Sequence, residues 1–308
     1  MPERALSTVP VTVTRGAYHR AMVIELPRTL SPSKVSSFTD CALAFRFAAI
    51  DRLPEPPSVA ATKGTLVHRA LELLYTEPAE GRTRAAAAAM FERAAHDIRT
   101  DADFTELALD PEAEVAFFAE AAQLVQRYFD LEDPRTIEPI GIELRLEAEV
   151  GGVTLRGVID RLELDADGEL VVTDYKTGRE PAERFEQGRL GGVHFYALLC
   201  ERLFGKRPAR VQLLYLADPV AIICTPSPQS SRAIERKVGA IWTAVERACL
   251  HDDFRPRPSK LCNWCAFKVW CPAFGGDPAA GRRSGQDRLA AVATTDDVTS
   301  AGVVAVPA

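Results

Sequence analysis

The spacing of apolar residues changes along the chain. Within residues 31–131 they recur every three or four positions, as Leu66, Ala70 and Leu74 do, and this period predicts helices. Across residues 142–150 apolar and polar residues alternate instead, which predicts a strand with one buried face. A helical first half is therefore expected to lead into a sheet that begins near the middle of the chain.

Turn residues define the order of the predicted sheet. Gly151-Gly152 and the run 165–168 separate three strand-like segments, and such short turns join antiparallel neighbours. We expect an antiparallel meander of three strands, followed by helices and strands that complete a mixed sheet flanked by helices. The predicted elements are helices that begin after Ser31 and Asp110, helices over 63–75, 83–99, 184–203 and 229–250, and strands over 142–150, 153–164, 169–178, 209–218 and 220–225.

The predicted folded region lies between two segments without a clear period. Residues 1–28 are interpreted as an irregular N-terminal lead, and residues 276–308 as a flexible tail rich in Ala, Gly, Asp, Thr and Val. Residues 29–275 are interpreted as a single α/β domain with a mixed central sheet. A helical insertion over 80–131 and a Cys-rich C-terminal segment are expected to belong to this domain.

Composition indicates a soluble globular protein. Of the 308 residues, 47% are hydrophobic and 26% charged, and no apolar run reaches membrane-spanning length, so we expect no membrane partner. The N-terminus lacks the apolar core of a secretory signal, and we therefore expect a cytoplasmic protein. The net charge of −6 argues mildly against a nucleic-acid partner, although basic residues gather locally between positions 179 and 210.

Candidate chemistry begins where the third predicted strand ends. Asp174 and Lys176 are separated by one residue, so on a strand their side chains point to the same face. Asp160 lies near the end of the preceding strand, and the hairpin could bring the two carboxylates together. Like charges at close range repel unless a cation lies between them, and Mg²⁺ prefers carboxylate oxygens. The alternative, a solvated surface ion pair between Asp174 and Lys176, stays open at this point.

A histidine on a predicted helix is the next candidate. His68 follows the apolar pair Leu66-Val67, so its side chain borders the buried face of that helix. A neutral imidazole could bind Mn²⁺ or Mg²⁺, or contact a substrate phosphate. The alternative is a half-buried surface histidine with no ligand.

The cysteines indicate a metal rather than disulfides, because seven of them occur in a chain expected in a reducing compartment. Cys262, Cys265 and Cys271 follow the spacing C-x2-C-x5-C, and Cys41 is the best candidate for a fourth ligand. The spacing suits Zn²⁺ and a [4Fe–4S] cluster alike. The remaining cysteines are interpreted as buried small hydrophobic residues: Cys200, Cys224 and Cys249.

Six segments occur together in a familiar order: SPSKVSSFTDC, GTLVHRALE, GVIDRLE, VVTDYKTG, HFYALL and CNWCAFKVWCP. With these segments the chain resembles the RecB-type exonucleases of the PD-(D/E)XK nuclease superfamily. Within it the resemblance is to the iron–sulfur branch that includes CRISPR adaptation exonucleases and AddB-type nuclease domains. It spans residues 31–272 and implies a restriction-endonuclease-like core.

The resemblance also implies roles for individual residues. One position departs from the family pattern: Gly192 stands where a glutamine is expected, four residues before Tyr196, and this departure concerns substrate contacts. The implied site comprises catalytic residues (Asp160, Asp174 and Lys176), metal ligands (His68, Asp160, Asp174 and Tyr175, through its carbonyl), a substrate-binding residue (Tyr196) and iron–sulfur ligands (Cys41, Cys262, Cys265 and Cys271).

The function implied by the resemblance is metal-dependent hydrolysis of DNA. We expect an exonuclease that uses Mg²⁺ or Mn²⁺, acts on single-stranded DNA in repair or recombination, and is compatible with a helicase or repair partner. Two alternatives are a CRISPR adaptation nuclease and a non-catalytic DNA-binding module that keeps the cluster. For the cysteines, the alternative to a [4Fe–4S] cluster is Zn²⁺.

Overall fold

The computed structural model describes residues 24–180 and 186–285. A five-stranded sheet runs through the described part, formed by β1 (Glu138–Val150), β2 (Val153–Leu164), β3 (Leu170–Lys176), β4 (Arg210–Tyr215) and β5 (Val220–Cys224), which lie side by side in chain order. β1, β2 and β3 are antiparallel neighbours, β3 and β4 are parallel, and β5 is antiparallel to β4. The predicted meander and the mixed sheet are both confirmed.

Helices begin where the sequence supplies caps. The Ser31 hydroxyl accepts a hydrogen bond from the Lys34 N–H at 3.3 Å, and the Asp110 carboxylate accepts one from the Ala113 N–H at 2.8 Å. The helices are α1 (Pro32–Asp40), α2 (Ala42–Phe45) with a π-helical continuation (Arg46–Ile50), α3 (Val59–Leu74), α4 (Arg84–Ile98), α5 (Ala102–Glu106), α6 (Pro111–Tyr128), α7 (Glu186–Phe204) and α8 (Pro228–His251). α4, α5 and α6 form the predicted helical insertion.

Helices cover both faces of the sheet. On one face, α3, α4 and α6 pack against Tyr175 and Leu214. On the other face, α1, α7 and α8 pack against Val172 and Leu213. Because side chains alternate along a strand, β3 and β4 contribute to both cores at once. The last residues of β3 are thereby held between two packed helical layers.

A third apolar cluster joins distant parts of the chain. Phe47, in the π-helical turn, packs on Phe267 in the Cys-rich segment with the ring centroids 5.6 Å apart. The buried guanidinium of Arg46 donates a hydrogen bond to Asp51 at 3.1 Å and also contacts Asp252, just after α8. The region around α2 therefore completes its packing with residues from near the end of the domain.

The turn between β1 and β2 fixes which residues face each other across the hairpin. Gly151 and Gly152 adopt left-handed conformations, with φ of 58° and 82°, which cost glycine little. Val150 pairs with Val153, and the register continues along both strands. Counting outward from the turn places Glu143 opposite Asp160.

The predicted N-terminal lead and C-terminal tail lie mostly outside the described residues, since 1–23 and 286–308 are not described. Residues 278–285, inside the predicted tail, are helical. The division into lead, domain and tail remains a prediction. In the stretches 24–180 and 186–285, every helix is too short or too polar to traverse a bilayer.

Candidate active site

The end of β3 carries an acid and a base on one face of the sheet. Asp174 is only 6% exposed, and the Lys176 ammonium contacts its Oδ2 atom. Tyr175, between them, points into the core on the opposite face. A carboxylate this deeply buried is poorly explained as part of a surface ion pair, because removing it from water costs free energy. The geometry therefore favours a functional site over a surface ion pair.

Asp160 reaches the same end of the sheet from β2. Its Oδ2 atom accepts a hydrogen bond from the Tyr175 N–H at 2.6 Å. Burial and the Asp160 charge together raise the pKa of Asp174 to about 6, although Lys176 opposes this change. The two aspartates, from neighbouring strands, are thus near enough to influence each other, as the hairpin predicted.

α3 brings His68 to the two strands. Its Nδ1 atom lies 3.6 Å from Asp160 Oδ2 and 3.8 Å from Glu143 Oε1, while its Nε2 atom lies 3.2 Å from the Tyr175 carbonyl oxygen. Burial alone would lower the pKa of His68, but the two carboxylates outweigh it and raise the pKa to about 10. The half-buried His68 side chain therefore faces two carboxylates, as a metal-site histidine would.

Glu143 belongs to this group, although the sequence patterns did not single it out. One ligand atom from each of His68, Glu143 and Asp160 lies within 4.8 Å of the other two. The sequence feature that predicts the position of Glu143 is the Gly151-Gly152 turn, because the hairpin register that follows from it places Glu143 opposite Asp160. Glu143 also has a φ of 47°, a left-handed conformation that costs a non-glycine residue about 1–3 kcal/mol and recurs at functional sites.

The chemistry of these donors suits a divalent cation. Two carboxylates and an imidazole offer the oxygen and nitrogen ligands that Mg²⁺ and Mn²⁺ accept, and they already converge within 4.8 Å. Asp174 borders the group on the next strand, and the Tyr175 carbonyl oxygen lies beside His68. The predicted metal ligands are therefore gathered in one place, with Glu143 added.

A buried arginine holds Tyr175 from the other face of the sheet. Arg161 is 0% exposed and donates hydrogen bonds to the Tyr175 hydroxyl at 2.9 Å and to the Tyr75 hydroxyl at 2.6 Å. Tyr175 is thus fixed through its side chain on one face, while its backbone contacts Asp160 and His68 on the other. The further partners of the Arg161 guanidinium are Tyr128, Glu132, Glu163 and Thr173.

α7 places Tyr196 beside the same centre. Tyr196 lines one cavity together with Asp174 and Lys176, and burial raises the pKa of its hydroxyl above the ordinary value. The ring packs closely over Gly157, where an added Cβ would meet Tyr196 Cε1 at 2.9 Å. Gly192 lines the same cavity, and a Cβ there would meet no atom within 4 Å. The missing family glutamine therefore leaves open space.

The four cysteines predicted as cluster ligands line one cavity of 230 Å³. Backbone N–H groups point at two of the sulfurs: Arg257 donates to Cys41 Sγ at 3.5 Å and Ser259 to Cys262 Sγ at 3.3 Å. No three of these sulfurs lie within 4.8 Å of one another, as far as the described residues go. A tetrahedral zinc site has Zn–S bonds of about 2.3 Å, which places its sulfurs about 3.8 Å apart. The sulfurs, including those of Cys265 and Cys271, are spread more widely than that.

Fold and site together define a class of protein. The profile of the PD-(D/E)XK nuclease superfamily matches residues 29–272, and the chain belongs to this superfamily. The mixed sheet with flanking helices is the restriction-endonuclease-like fold that the sequence predicted. Members of the superfamily are nucleases that generally use divalent metals, which agrees with the acidic group at the end of β3.

Two phage proteins are similar to this chain over nearly their whole length. The gene 69 protein of Mycobacterium phage D29 is 24% identical over 277 residues, covering 82% of this chain and 98% of the phage protein. The gene 69 protein of Mycobacterium phage L5 is 24% identical over 285 residues, covering 79% and 96%. Among solved structures, a candidate exonuclease from Eubacterium rectale shares 12% identity with a TM-score of 0.48, covering 77% of this chain and 92% of that one. These similarities assign no roles to individual residues.

Proposed function

We propose that the protein is a Mg²⁺- or Mn²⁺-dependent exonuclease that hydrolyses phosphodiester bonds of single-stranded DNA. The observation that carries the proposal is the meeting of Asp160, Asp174 and Lys176 at the end of β3, where both aspartates are buried. Superfamily membership supports nucleic acid as the substrate. Exonuclease action, a single-stranded substrate and a role in DNA repair or recombination rest on analogy with the RecB-type exonucleases that the chain resembles.

Each residue has a task in this proposal. His68, Glu143 and Asp160 hold the cation, with Asp174 and the Tyr175 carbonyl beside them. When bound, Mg²⁺ or Mn²⁺ supplies Lewis-acid polarisation of the phosphoryl group and an activated water. The Lys176 ammonium, held over the same face by Asp174, stabilises the negative charge that grows on the phosphoryl oxygens.

Hydrolysis of end-labelled single-stranded DNA, with Mg²⁺ or Mn²⁺ added, tests the catalytic assignment. Asp174→Ala and Lys176→Ala are each expected to lower kcat by about 10²–10³-fold, the usual effect of removing a group that stabilises the transition state. Asp167→Ala is the control, because Asp167 lies in the exposed turn between β2 and β3. Full activity in both site variants would refute the assigned centre.

The form of the DNA separates modes of action. An exonuclease degrades a linear single strand and leaves a closed circle of the same sequence intact, whereas cutting of the circle indicates an endonuclease. Binding of DNA by the wild type without hydrolysis under any metal condition would identify the non-catalytic alternative. Either outcome replaces the proposed activity while leaving the superfamily assignment in place.

We further propose that Cys41, Cys262, Cys265 and Cys271 hold a [4Fe–4S] cluster with a structural role. The supporting observations are their shared cavity and the order of the cysteine motifs, which resembles that of the iron–sulfur branch. Anaerobic purification followed by iron, sulfide and zinc analysis tests this, with broad visible absorption expected. Cys271→Ser should lose the absorption, and the control Cys224→Ser should keep it. Stoichiometric zinc without iron would overturn the cluster and leave the nuclease proposal untouched.

A further inference from the structure

The cavity that Tyr196 shares with Asp174 and Lys176 opens between α1, α7 and α8. It is a cavity of 280 Å³ whose lining includes Asp174 and Lys176. Further polar groups come from Ser33 and Ser36 on α1 and from Lys237 on α8. These last three residues have no role in the site described above, so the cavity contributes chemistry that hydrolysis itself does not use.

The described lining carries two lysines, Lys176 and Lys237, and one aspartate, Asp174. Lys237 is exposed and makes no ion pair with any described residue, whereas Glu235 on the same helix is paired with Arg202. Asp174 supplies the carboxylate of the described lining, and it already contacts the Lys176 ammonium. An ammonium without an ion pair among the described side chains, beside a carboxylate that already contacts Lys176, favours an anionic ligand.

Hydroxyl donors on α1 fit the same ligand. Ser36 is exposed, and its hydroxyl makes no hydrogen bond to another group within the described ranges, so it is free to donate. Ser33 lies in the first turn of α1, where the helix dipole adds a weak preference for negative charge. Hydroxyls together with an ammonium are typical phosphate contacts in nucleic-acid complexes.

We propose that this cavity binds the phosphate next to the scissile phosphate of a nucleic-acid strand, with Lys237 and Ser36 as its donors. The inference rests on the proposed function, because that function places the scissile phosphate at Asp174 and Lys176. A strand attacked there continues into adjoining space, and the cavity shares those two residues. The space beside Gly192 is open, since a Cβ at that position would meet no atom within 4 Å.

Removal of the charge from each side of the contact tests the proposal. Lys237→Gln is compared with Arg236→Gln, its exposed neighbour on α8 that does not line the cavity. Binding of a short single-stranded oligonucleotide is measured in EDTA across a range of salt concentrations. The logarithm of the binding constant falls linearly with the logarithm of the salt concentration. Lys237→Gln is expected to flatten this slope by about 0.7, the value for one phosphate contact on a single strand, and Arg236→Gln is expected to leave it unchanged.

Substrates with one neutral methylphosphonate supply the second readout. The neutral linkage is placed in turn on each side of the scissile bond, and KM and kcat are measured with Mg²⁺ or Mn²⁺. At one of the two positions, wild-type KM is expected to rise about fivefold with kcat little changed, whereas Lys237→Gln shows no further rise because the contact is already lost.

Failure of this inference is distinguishable from failure of the proposed function. Two results would overturn the phosphate subsite. One is an equal salt slope for Lys237→Gln and Arg236→Gln. The other is a KM effect of Lys237→Gln that adds fully to that of the methylphosphonate at both positions. If the wild-type protein hydrolyses no DNA but its salt slope for DNA binding still flattens when Lys237→Gln is introduced, the nuclease activity would be overturned and the subsite retained.

Discussion

Arg161 is expected to control the stability of the sheet beneath the active site. Its guanidinium is 0% exposed and lies between the carboxylates of Glu132 and Glu163, and it also donates to buried tyrosine hydroxyls. Replacement by leucine keeps an apolar stem but removes the charge that balances the acids. The perturbation therefore leaves a buried carboxylate without its cation.

The magnitude follows from the burial of the partners. The Glu163 side chain is 7% exposed, so after Arg161→Leu it stays largely shielded from water and has lost its direct ion-pair partner. Removing one partner of a buried ion pair costs about 3–5 kcal/mol. Leucine recovers little of this cost, because the tyrosine hydroxyls around it also lose a donor. For a domain whose total stability is about 5–15 kcal/mol, the change is large.

Urea unfolding of the metal-free proteins, followed by circular dichroism and tryptophan fluorescence, measures the effect. The matched control is Arg156→Leu, an exposed arginine on the same strand, which is expected to change the free energy of unfolding by only about 0.5 kcal/mol. If Arg161→Leu does not fold, Tyr175→Phe removes one hydroxyl from the network and should cost about 0.5–1.5 kcal/mol. Unfolding midpoints that match the wild type in both network variants would refute the reasoning.

Three further predictions concern the site. Burial raises the pKa of Asp174 to about 6, above its unfolded value, so protonation stabilises the metal-free fold and competes with the cation. The Mn²⁺ affinity measured by calorimetry should therefore fall below pH 6, and Asp174→Asn should abolish this pH dependence. Gly157→Ala forces a Cβ to within 2.9 Å of Tyr196 and should cost about 1–3 kcal/mol in thermal unfolding, whereas Gly239→Ala, where a Cβ meets nothing within 4 Å, should be neutral or stabilising. Gly192→Gln has room for its Cβ and should lower KM for DNA without changing kcat; an unchanged KM would show that the family glutamine has no contact to restore here.

Local patterns were sufficient wherever alternation or a turn decided the structure. The two-residue period of β3 predicted that Asp174 and Lys176 share a face, and the structure confirms it. The Gly151-Gly152 turn carried enough information to find Glu143 as well, because hairpin register follows from the turn. Position at a strand end, the feature that singles out Asp160 and Asp174, does not single out Glu143, because Glu143 lies within β1.

Long-range packing supplied what local patterns could not. Nothing near Arg161 in the sequence predicts its burial, since Tyr75 and Glu132, two of its partners, come from the end of α3, just after Leu74, and from the segment after α6. Lys237 lies on the helix predicted over 229–250, and no local pattern in that helix singles it out. Its position at the cavity depends on how α8 docks across α1 and α7, which only tertiary contacts determine.

The contact between Arg46 and Asp252 has a consequence for how the protein is made. The two residues are 206 positions apart, so at a synthesis rate of about 5–20 residues per second the partner arrives roughly 10–40 s later. During that interval the aromatic residues around Arg46 lack the surface that finally covers them and are available to chaperones. A product truncated before α8 would keep them uncovered permanently, which marks incomplete chains for degradation even where the sheet has formed.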